Sequence, residues 1–313
     1  GKMATAVYTG IEKDIYDFQN LPWSGYANKV LSASVVDNGI APLSTACWFF
    51  NFAACSSIDL SRLDTSKVTN MSWMFASCES LTALDLANWD TSNVTDMMCM
   101  FVDLKKISVF DLRGFDTSKV TTMFGMFEGC ETLTSLNVNT SSVIDMTEMF
   151  YGCINLAVLD VSSFMVSEST DTSLMFAYCP ELVTIYVNPQ ANWSDAKMSE
   201  VMFGDSSVLA GGLGTAYEED KDDGTYALVD GLDGKPGYFT PKITVSYYDP
   251  ETETVPVSVL YAYGITAAQG ESEGFWGWAL TPDATKPAFL PGELVLYDST
   301  NITDLVLYPV EKP

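Results

Sequence analysis

Cysteine recurs at a regular spacing, so it is the first residue type to consider for chemistry. The chain has seven cysteines, and five of them follow a phenylalanine by three residues: Cys55, Cys78, Cys130, Cys153 and Cys179. Leu104 occupies the same position in another copy, so the position favours a small or medium apolar residue, and we expect buried free thiols. Cys47 and Cys99 lie outside the series, and no pair has the C-x-x-C spacing of a zinc site. We therefore predict no metal site and no catalytic thiol.

The charged residues exclude several classes of function. The chain has no histidine, which removes Ser-His-Asp and Cys-His catalysis and zinc sites that need imidazole. It has 41 Asp and Glu against 15 Lys and Arg, a formal net charge of −26 over 313 residues. Such a surface repels phosphate, so we predict no nucleic-acid partner and no docking on anionic lipid. We also predict that the protein is not an enzyme. Asp and Glu pairs are plentiful, but no accompanying motif singles one out.

One polar position, flanked by apolar residues, repeats along the chain. Its occupants are Asp59, Asp85, Asp111, Asn137, Asp160 and finally Tyr186. If the copies stack, these residues form an exposed column about 5 Å apart, in which adjacent unit charges repel by roughly 1 kcal/mol in water. We predict a binding face along this column, with Val158 and Val183 at its apolar end. Two alternatives remain open: an ordinary solvated surface, and a column that binds a cation such as Ca²⁺.

A second candidate site lies near the C-terminus. Trp276 is the variable residue in the segment from Phe275 to Trp278. An exposed Trp276 could stack on a sugar or on a protein, whereas a half-buried strand aromatic needs no ligand. Loss of glycan binding in Trp276→Ala would favour a carbohydrate-binding function over a protein-binding one.

The elements that must position these residues are repeated units. Met-Phe pairs recur with phenylalanines 26, 26, 23, 26 and 27 residues apart, from Phe75 to Phe203, and Asn51-Phe52 extends the series backwards by 23. Within each unit, apolar residues at i, i+3, i+4 and i+7 predict a short helix. Ten methionines keep this register and are predicted to fill the core.

The second half of each unit predicts a short strand and a turn. It reads L-x-x-L-x-L or a close variant, and the polar residue between the last two apolar ones suits a half-buried strand. A connector such as Asp64-Thr65-Ser66 follows, whose side chains can close a turn. A single unit cannot bury its apolar stripe, so the units must stack into a solenoid.

These motifs carry a family resemblance over about residues 30–240. The segments FDTSKVTTMFGMFEGCETLTSLNV and WDTSNVTDM resemble the BspA-like leucine-rich repeats of bacterial surface proteins, also seen in mycoplasma-type lipoproteins. The resemblance implies an α/β leucine-rich-repeat solenoid with one strand and one helix per unit. We divide this part into an N-terminal β cap (1–42), the repeats (43–203) and a C-terminal cap of the array (204–240).

Residues 241–313 have a different pattern. Alternating β-branched and aromatic runs, separated by Pro and Gly, predict a small β-rich domain. The order Phe275-x-Gly277-Trp278, Pro291-Gly292 and Leu307-Tyr308 resembles the InlB B-repeat (Listeria–Bacteroides repeat), which implies a β-grasp-like fold. Pro309 stands where that family usually has Ala. We expect this module to fold independently of the first 240 residues.

The function implied is binding at a bacterial surface. Some BspA-like proteins bind host extracellular-matrix proteins, so the resemblance implies a protein partner of that class. A carbohydrate- or cell-wall-polymer-binding protein is the alternative. No stretch is long and apolar enough to span a membrane, and no signal peptide is visible. The sequence opens with Gly1-Lys2 rather than Met, so these absences say nothing about location. We expect a secreted or surface-anchored protein.

Overall fold

A computed structural model describes residues 21–112, 114–133, 135–189, 191, 193–231, 234–248, 257–261, 264–266, 275–288, 290, 294–296 and 304–311. Its strands are β1 (Ser32–Ser34), β2 (Ser57–Asp59), β3 (Val109–Asp111), β4 (Ser135–Asn137), β5 (Val158–Asp160), β6 (Thr184–Val187), β7 (Phe239–Tyr247), β8 (Val257–Tyr261), β9 (Gly264–Thr266), β10 (Phe275–Ala279), β11 (Leu294–Leu296) and β12 (Asp304–Glu311). Three short 3-10 helices cover Ser24–Lys29, Trp193–Asp195 and Gly224–Tyr226. The predicted strand at residues 6–8 lies outside the described residues.

The repeated units stack in parallel. One residue of each unit forms a parallel bridge with its equivalent in the next, in the series Ser44, Asn70, Asp96, Thr122, Asp145, Asp171 and Met198. The core between the units contains a ladder of phenylalanines: Phe49, Phe75, Phe101, Phe127, Phe150, Phe176 and Phe203. Successive rings are stacked with centroids 5.5 to 5.9 Å apart. The methionines of the repeat are buried in the same core, as predicted.

The prediction of one helix per unit is wrong. The described residues contain no α-helix, and the Met-Phe segments are runs of turns. Alternate amides donate to the next unit: those of Met71, Trp73, Phe75 and Ser77 donate to the carbonyls of Asp96, Met98, Met100 and Val102. Of the intervening amides, those of Met74 and Ala76 donate to the carbonyl three residues back, and that of Ser72 donates to Asn70 Oδ1 at 2.8 Å. An α-helix would commit every amide to the carbonyl four residues back, so a segment that bonds to its neighbouring unit cannot form one.

Left-handed residues give the turn segment its shape. Two positions, four residues apart in each unit, have φ between 51° and 68°: Cys47 and Asn51, Trp73 and Ser77, Cys99 and Asp103, Gly125 and Gly129, Glu148 and Gly152, Leu174 and Tyr178, Val201 and Asp205. Each left-handed non-glycine residue costs roughly 1–2 kcal/mol. Repetition of the same conformation in seven units indicates that the hydrogen bonds between units and the packing below them offset this cost.

The structure also corrects the register of the first unit. The sequence predicted Phe52 as its ladder phenylalanine and Cys55 as its ladder cysteine. In the structure Phe49 stacks on Phe75 at 5.5 Å, and the Phe49 amide donates to the Met74 carbonyl. Phe52 therefore occupies the position of Cys78, and the first spacing is 26 residues rather than 23. The sequence pattern is ambiguous here, because the run Phe49-Phe50-Asn51-Phe52 contains three phenylalanines. The packing in the structure determines which of them belongs to the ladder.

The strand side of the stack is built from separate pieces. β1 pairs with β2, β3 pairs with β4, and β5 pairs with β6, all in parallel. Residues 83–85 align with β2 and β3 in the repeat, yet this described stretch forms no strand. The inward residues of the later strands, such as Phe110 or Leu159, are buried in the core, while those of β1 and β2 are partly buried.

The last strand of the repeats, β6, and strands of the C-terminal segment belong to one sheet. The sheet runs β10-β12-β7-β6-β5, with β8 also paired to β7, and a separate pair joins β11 to β9. β7 pairs in parallel with β6 through Phe239 and Thr240, and Phe239 is buried in the repeat core. The predicted boundary between residues 240 and 241 therefore lies inside β7. Independent folding of the two parts stays a prediction.

Candidate binding face

The structure places the described members of the acidic column at the outward edge of the strand side. Asp59, Asp85 and Asp111 are exposed, and Asp160 is partly buried. The register pairs Asp111 with Asn137 and Asp160 with Tyr186, so equivalent positions do stack where strands form. The side chain of Asn137 lies outside the described part of the chain. The arrangement brings the predicted residues onto one surface.

Each described aspartate with a defined bond closes a local turn. Asp59 Oδ1 accepts a hydrogen bond from the Ser61 amide at 3.0 Å, Asp85 Oδ1 one from Ala87 at 3.2 Å and Asp160 Oδ1 one from Ser162 at 3.0 Å. Hydrogen bonds from Ser61 hold the pKa of Asp59 below its usual value. An acceptor bonded two residues ahead is a common turn device, so the turns alone account for these residue types.

Lys242 neutralises the C-terminal end of the column. Its Nζ lies 2.6 Å from Asp160 Oδ2, and both side chains are about a quarter exposed. This ion pair joins the repeat to the first strand of the C-terminal segment. Sequence reasoning missed it, and the only signal was a basic residue early in a strand. Asp59, Asp85 and Asp111 are the exposed carboxylates of the column.

Exposed valines lie beside the acidic positions. The exposed fraction is 57% for Val109, 43% for Val158 and 46% for Val183. Val158 and Val183 were predicted as the apolar end of the face, and Val109 is the most exposed of the three. Tyr186 is partly buried and in register with Thr240 of β7. Val109 lies on β3 with Asp111, so the acidic and apolar positions overlap in the middle of the stack, and Val158 and Val183 lie beyond them.

The thiols are suited to packing rather than to chemistry. All seven cysteines are free and buried. Cys78, Cys130, Cys153 and Cys179 each donate from Sγ to the carbonyl of the ladder phenylalanine one unit back, at 3.1 to 3.2 Å. Burial raises the pKa of Cys78 to about 12. A thiol with so high a pKa has almost no thiolate at neutral pH, and the thiolate is the reactive form.

Among the described residues, no group of three or more acidic or thiol side chains is arranged so that it could hold a metal ion. The acidic run at residues 218–223 forms local contacts instead. Lys221 pairs with Glu218 at 2.6 Å, and Asp223 Oδ1 accepts a bond from the Thr225 amide at 2.9 Å.

The alternative site at Trp276 has its backbone in β10, but its side chain lies outside the described residues. The neighbouring Trp278 is buried and packs against Tyr247 with ring centroids 4.5 Å apart.

In the described part of the chain, no helix has the length and apolar character needed to cross a bilayer.

Comparison with known proteins identifies the repeat region. The family model described as "Mycoplasma protein of unknown function, DUF285" matches residues 45–137 and 111–214, which together span more than half of the chain. No curated protein matches. Among solved structures, the crystal structure of a leucine-rich repeat protein from Bacteroides ovatus ATCC 8483 is similar, with 12% identity and a TM-score of 0.25. The match covers 59% of this chain and 66% of the Bacteroides chain, just under two thirds of the length of that protein.

Proposed function

The chain belongs to the family described as Mycoplasma protein of unknown function, DUF285, and we propose that it is a non-enzymatic binding protein of the bacterial surface. Its units form a leucine-rich-repeat-like solenoid whose strand side binds a protein partner, such as a component of the host extracellular matrix. The family and the absence of a membrane-spanning helix from the described residues are compatible with a secreted or surface-anchored protein.

The observation that carries the proposal is the composition of the strand side. Its outward positions form one surface that carries exposed aspartates from Asp59 to Asp111 and exposed valines from Val109 to Val183. The turns explain why the aspartates are there, but they do not explain three exposed valines on the same side. A partner with basic and apolar groups matches both, because charge gives attraction and orientation while apolar area gives affinity.

A lack of catalytic chemistry supports a binding function. The chain contains no histidine, and every cysteine is buried. For residues 241–313 we propose a β-grasp-like module, as the resemblance of this segment to the InlB B-repeat implies. In its support, β7 and β12 pair in parallel and β10 pairs antiparallel to β12.

The test is a binding screen of the full chain against purified extracellular-matrix proteins and a glycan array. The affinity of each partner found in the screen is then measured for the unchanged chain and for the variant Asp59→Asn/Asp85→Asn/Asp111→Asn. Asparagine keeps the turn-closing oxygen, as Asn139 shows by accepting from the Ser141 amide at 2.8 Å. The expected result is weaker binding with a smaller dependence on salt, because exposed charges are screened within about 8–10 Å.

A matched control removes the same charge elsewhere. Asp64, Asp90 and Asp116 are exposed, and each closes a turn with the serine two residues ahead at 3.0 Å. The variant Asp64→Asn/Asp90→Asn/Asp116→Asn is expected to bind normally. Equal loss in both triple variants would contradict a site on the strand side. Glycan binding lost only in Trp276→Ala would support the carbohydrate alternative instead.

A further inference from the structure

The turn segments carry a second apolar cluster outside the main core. Ala76, Cys99 and Val102 are its buried members, and the partly buried side chains of Trp73, Met98 and Phe124 pack over them. We refer to Trp73, Met98 and Phe124 with the carboxylates around them as the turn-face patch. It lies on the Met-Phe segments rather than on the strands, so it is distinct from the face proposed above.

Carboxylates surround this apolar cluster. The backbone ladder brings these units together, because the Cys99 amide donates to the Phe124 carbonyl at 2.8 Å and the Gly125 amide donates to the Thr147 carbonyl at 2.9 Å. Burial raises the pKa of Cys99, and the negative charges of Glu128, Glu148, Asp96 and Asp145 raise it further. Gly125 shows how closely one of them approaches: a methyl group on it would lie 3.1 Å from Cys99 Sγ and 3.3 Å from Glu128 Oε2. The Glu128 carboxylate therefore folds over Gly125 at the edge of the cluster.

Among the described residues, no basic side chain forms an ion pair with these four carboxylates. Asp96 and Asp145 each close a turn through Oδ1 and accept a side-chain hydrogen bond through Oδ2. Glu128 and Glu148 take part in no ion pair among the described residues. The nearby Lys105 lies 3.8 Å from Glu79 and 3.7 Å from Glu131 instead. Burial and then the charge of Glu148 raise the pKa of Glu128, as expected of carboxylates that lack a cation.

Aromatic side chains continue beyond the carboxylates. Tyr151 and Tyr178 pack with ring centroids 5.0 Å apart, and Tyr178 is 47% exposed. The Gly129 amide donates to the Tyr151 carbonyl at 2.9 Å, so Tyr151 lies in the unit next to Glu128 and this pair borders the same acidic group. Burial raises the pKa of Tyr151, and the charges of Glu148 and Glu128 add to the effect. Aromatic rings thus lie on both sides of the carboxylates, across several consecutive units.

We propose that the turn-face patch binds an arginine- and lysine-rich polypeptide segment. Guanidinium groups stack on aromatic faces and form paired hydrogen bonds with carboxylates, and the patch presents both. The carboxylates repel acidic and phosphorylated partners. Because the patch extends over several units, an extended segment with repeated cations fits it better than one isolated cation does.

The probes are fluorescein-labelled octa-arginine and octa-lysine, titrated into the full chain at low salt. The first variant is Glu128→Gln/Glu148→Gln, and its control is Asp64→Asn/Asp90→Asn, which removes two charges from the exposed connectors. We expect about tenfold weaker octa-arginine binding for the first variant and less than about twofold for the control. An equal loss of octa-arginine affinity in the two variants would mean general attraction to an acidic protein and would overturn the proposal.

A second pair of measurements tests the aromatic component. We expect octa-arginine to bind the unchanged chain several-fold more tightly than octa-lysine, and Trp73→Leu/Phe124→Leu to abolish that preference. Melting temperature confirms that each variant is folded. No preference for arginine in the unchanged chain, or an unaltered preference in the leucine variant, would overturn stacking at this patch. Loss of octa-arginine binding in Asp59→Asn/Asp85→Asn/Asp111→Asn alone would place the cationic segment on the strand side.

Discussion

The two sides of the repeated unit differ in how their backbones connect. On the turn side, a parallel bridge joins each unit to the next without a gap from Ser44 to Met198. On the strand side, pairing is interrupted at residues 83–85, between β2 and β3, and again between β4 and β5. The continuous ladder of this fold therefore lies in the segments that were predicted to be helices, not in the strands.

Like charges coincide with the first of the two openings of the strand side. Asp59, Asp85 and Asp111 would stand side by side if all three units paired, and both of these Asp-Asp steps lack strand pairing. The steps Asp111 to Asn137 and Asp160 to Tyr186 join unlike residues and do pair. The step from β4 to β5 also joins unlike residues, Asn137 and Asp160, yet it is not paired, so repulsion between carboxylates is a hypothesis for the opening between β2 and β3 only.

The largest expected effect is on the turn-side core. Phe127 is fully buried and stacks on Phe101 at 5.5 Å and on Phe150 at 5.9 Å. Phe127→Ala is expected to lower the free energy of unfolding by about 3–5 kcal/mol, because it leaves a cavity between two rings. Val158→Ala on the strand side is the control and should change it by less than about 0.5 kcal/mol. Urea denaturation measures both, and similar costs would contradict the division between the two sides.

A smaller loss is expected when the turn backbone itself is strained. Gly129 has φ of 64°, and an added methyl group would lie 2.6 Å from Asp103 Oδ1. Gly129→Ala should cost about 1–3 kcal/mol, from the left-handed conformation and the displaced carboxylate together. Gly152 has φ of 68° and open space above it, so Gly152→Ala isolates the conformational cost of about 1–2 kcal/mol. A tolerated Gly129→Ala would show that the turn ladder adapts more readily than its repetition suggests.

Substitutions at the ladder cysteine Cys153 test whether hydrogen bonding or side-chain size determines which residue occupies this position. Cys153 Sγ donates to the Phe127 carbonyl at 3.2 Å, and Ser206 makes the equivalent bond to Phe176 at 2.7 Å. Cys153→Ala loses the donor and leaves a small cavity, so we expect a cost of about 1–2 kcal/mol. Cys153→Ser keeps a donor and should cost less. Thermal melts of the two variants would contradict a bonding role if alanine were the more stable.

The acidic turn face should also affect stability through pH. Burial, together with the charges of Glu148 and Asp103, raises the pKa of Glu128 above its usual value. The folded protein therefore retains this proton to a higher pH than the unfolded chain does, and its contribution to stability falls as pH rises through and above 4.5. We expect Glu128→Gln to raise the melting temperature at pH 7 and to change it little at pH 4. An unchanged or lower melting temperature at pH 7 would indicate that the charge is already compensated.

Much of this arrangement could be predicted from sequence, because side-chain burial alone determines the pattern. The units, the buried methionines and the outward position of the acidic column all follow from which residues are apolar. The turn conformation does not, because residues at i, i+3, i+4 and i+7 face inward in the observed turns as they would in a helix. Glycine, the usual sign of a left-handed residue, occupies only three of the fourteen left-handed positions.

Two other features depend on contacts between distant segments. The pairing of Lys242 with Asp160 joins residues 82 positions apart, and no local pattern encodes it. The first unit's register depends on which of three neighbouring phenylalanines stacks on Phe75, which only packing decides. The acidic column was predicted as a set of equivalent positions, but the interruption within it was not. Repulsion between adjacent carboxylates was anticipated, and its effect on strand pairing stays a hypothesis.

The smallest expected effect tests that interruption directly. Asp85 is exposed and lies between the Asp59 and Asp111 positions of the neighbouring units. Asp85→Asn removes both like-charge steps at once and preserves an oxygen for the Ala87 amide, which now donates to Asp85 Oδ1 at 3.2 Å. We expect the amides of residues 83–85 to gain protection in hydrogen–deuterium exchange, because strand pairing with β2 and β3 becomes less costly.

The gain in global stability should be only a few tenths of a kcal/mol, since exposed charges interact weakly and salt screens them. High salt applied to the unchanged chain should therefore produce part of the same protection. Asp90→Asn, on the connector of the same unit, removes one charge without altering the column and should leave residues 83–85 as they are. If Asp85→Asn and high salt both failed to protect these amides, charge would not be what separates β2 from β3. The opening would then be a property of the backbone at residues 82–86, and the contrast between the two sides would rest on shape alone.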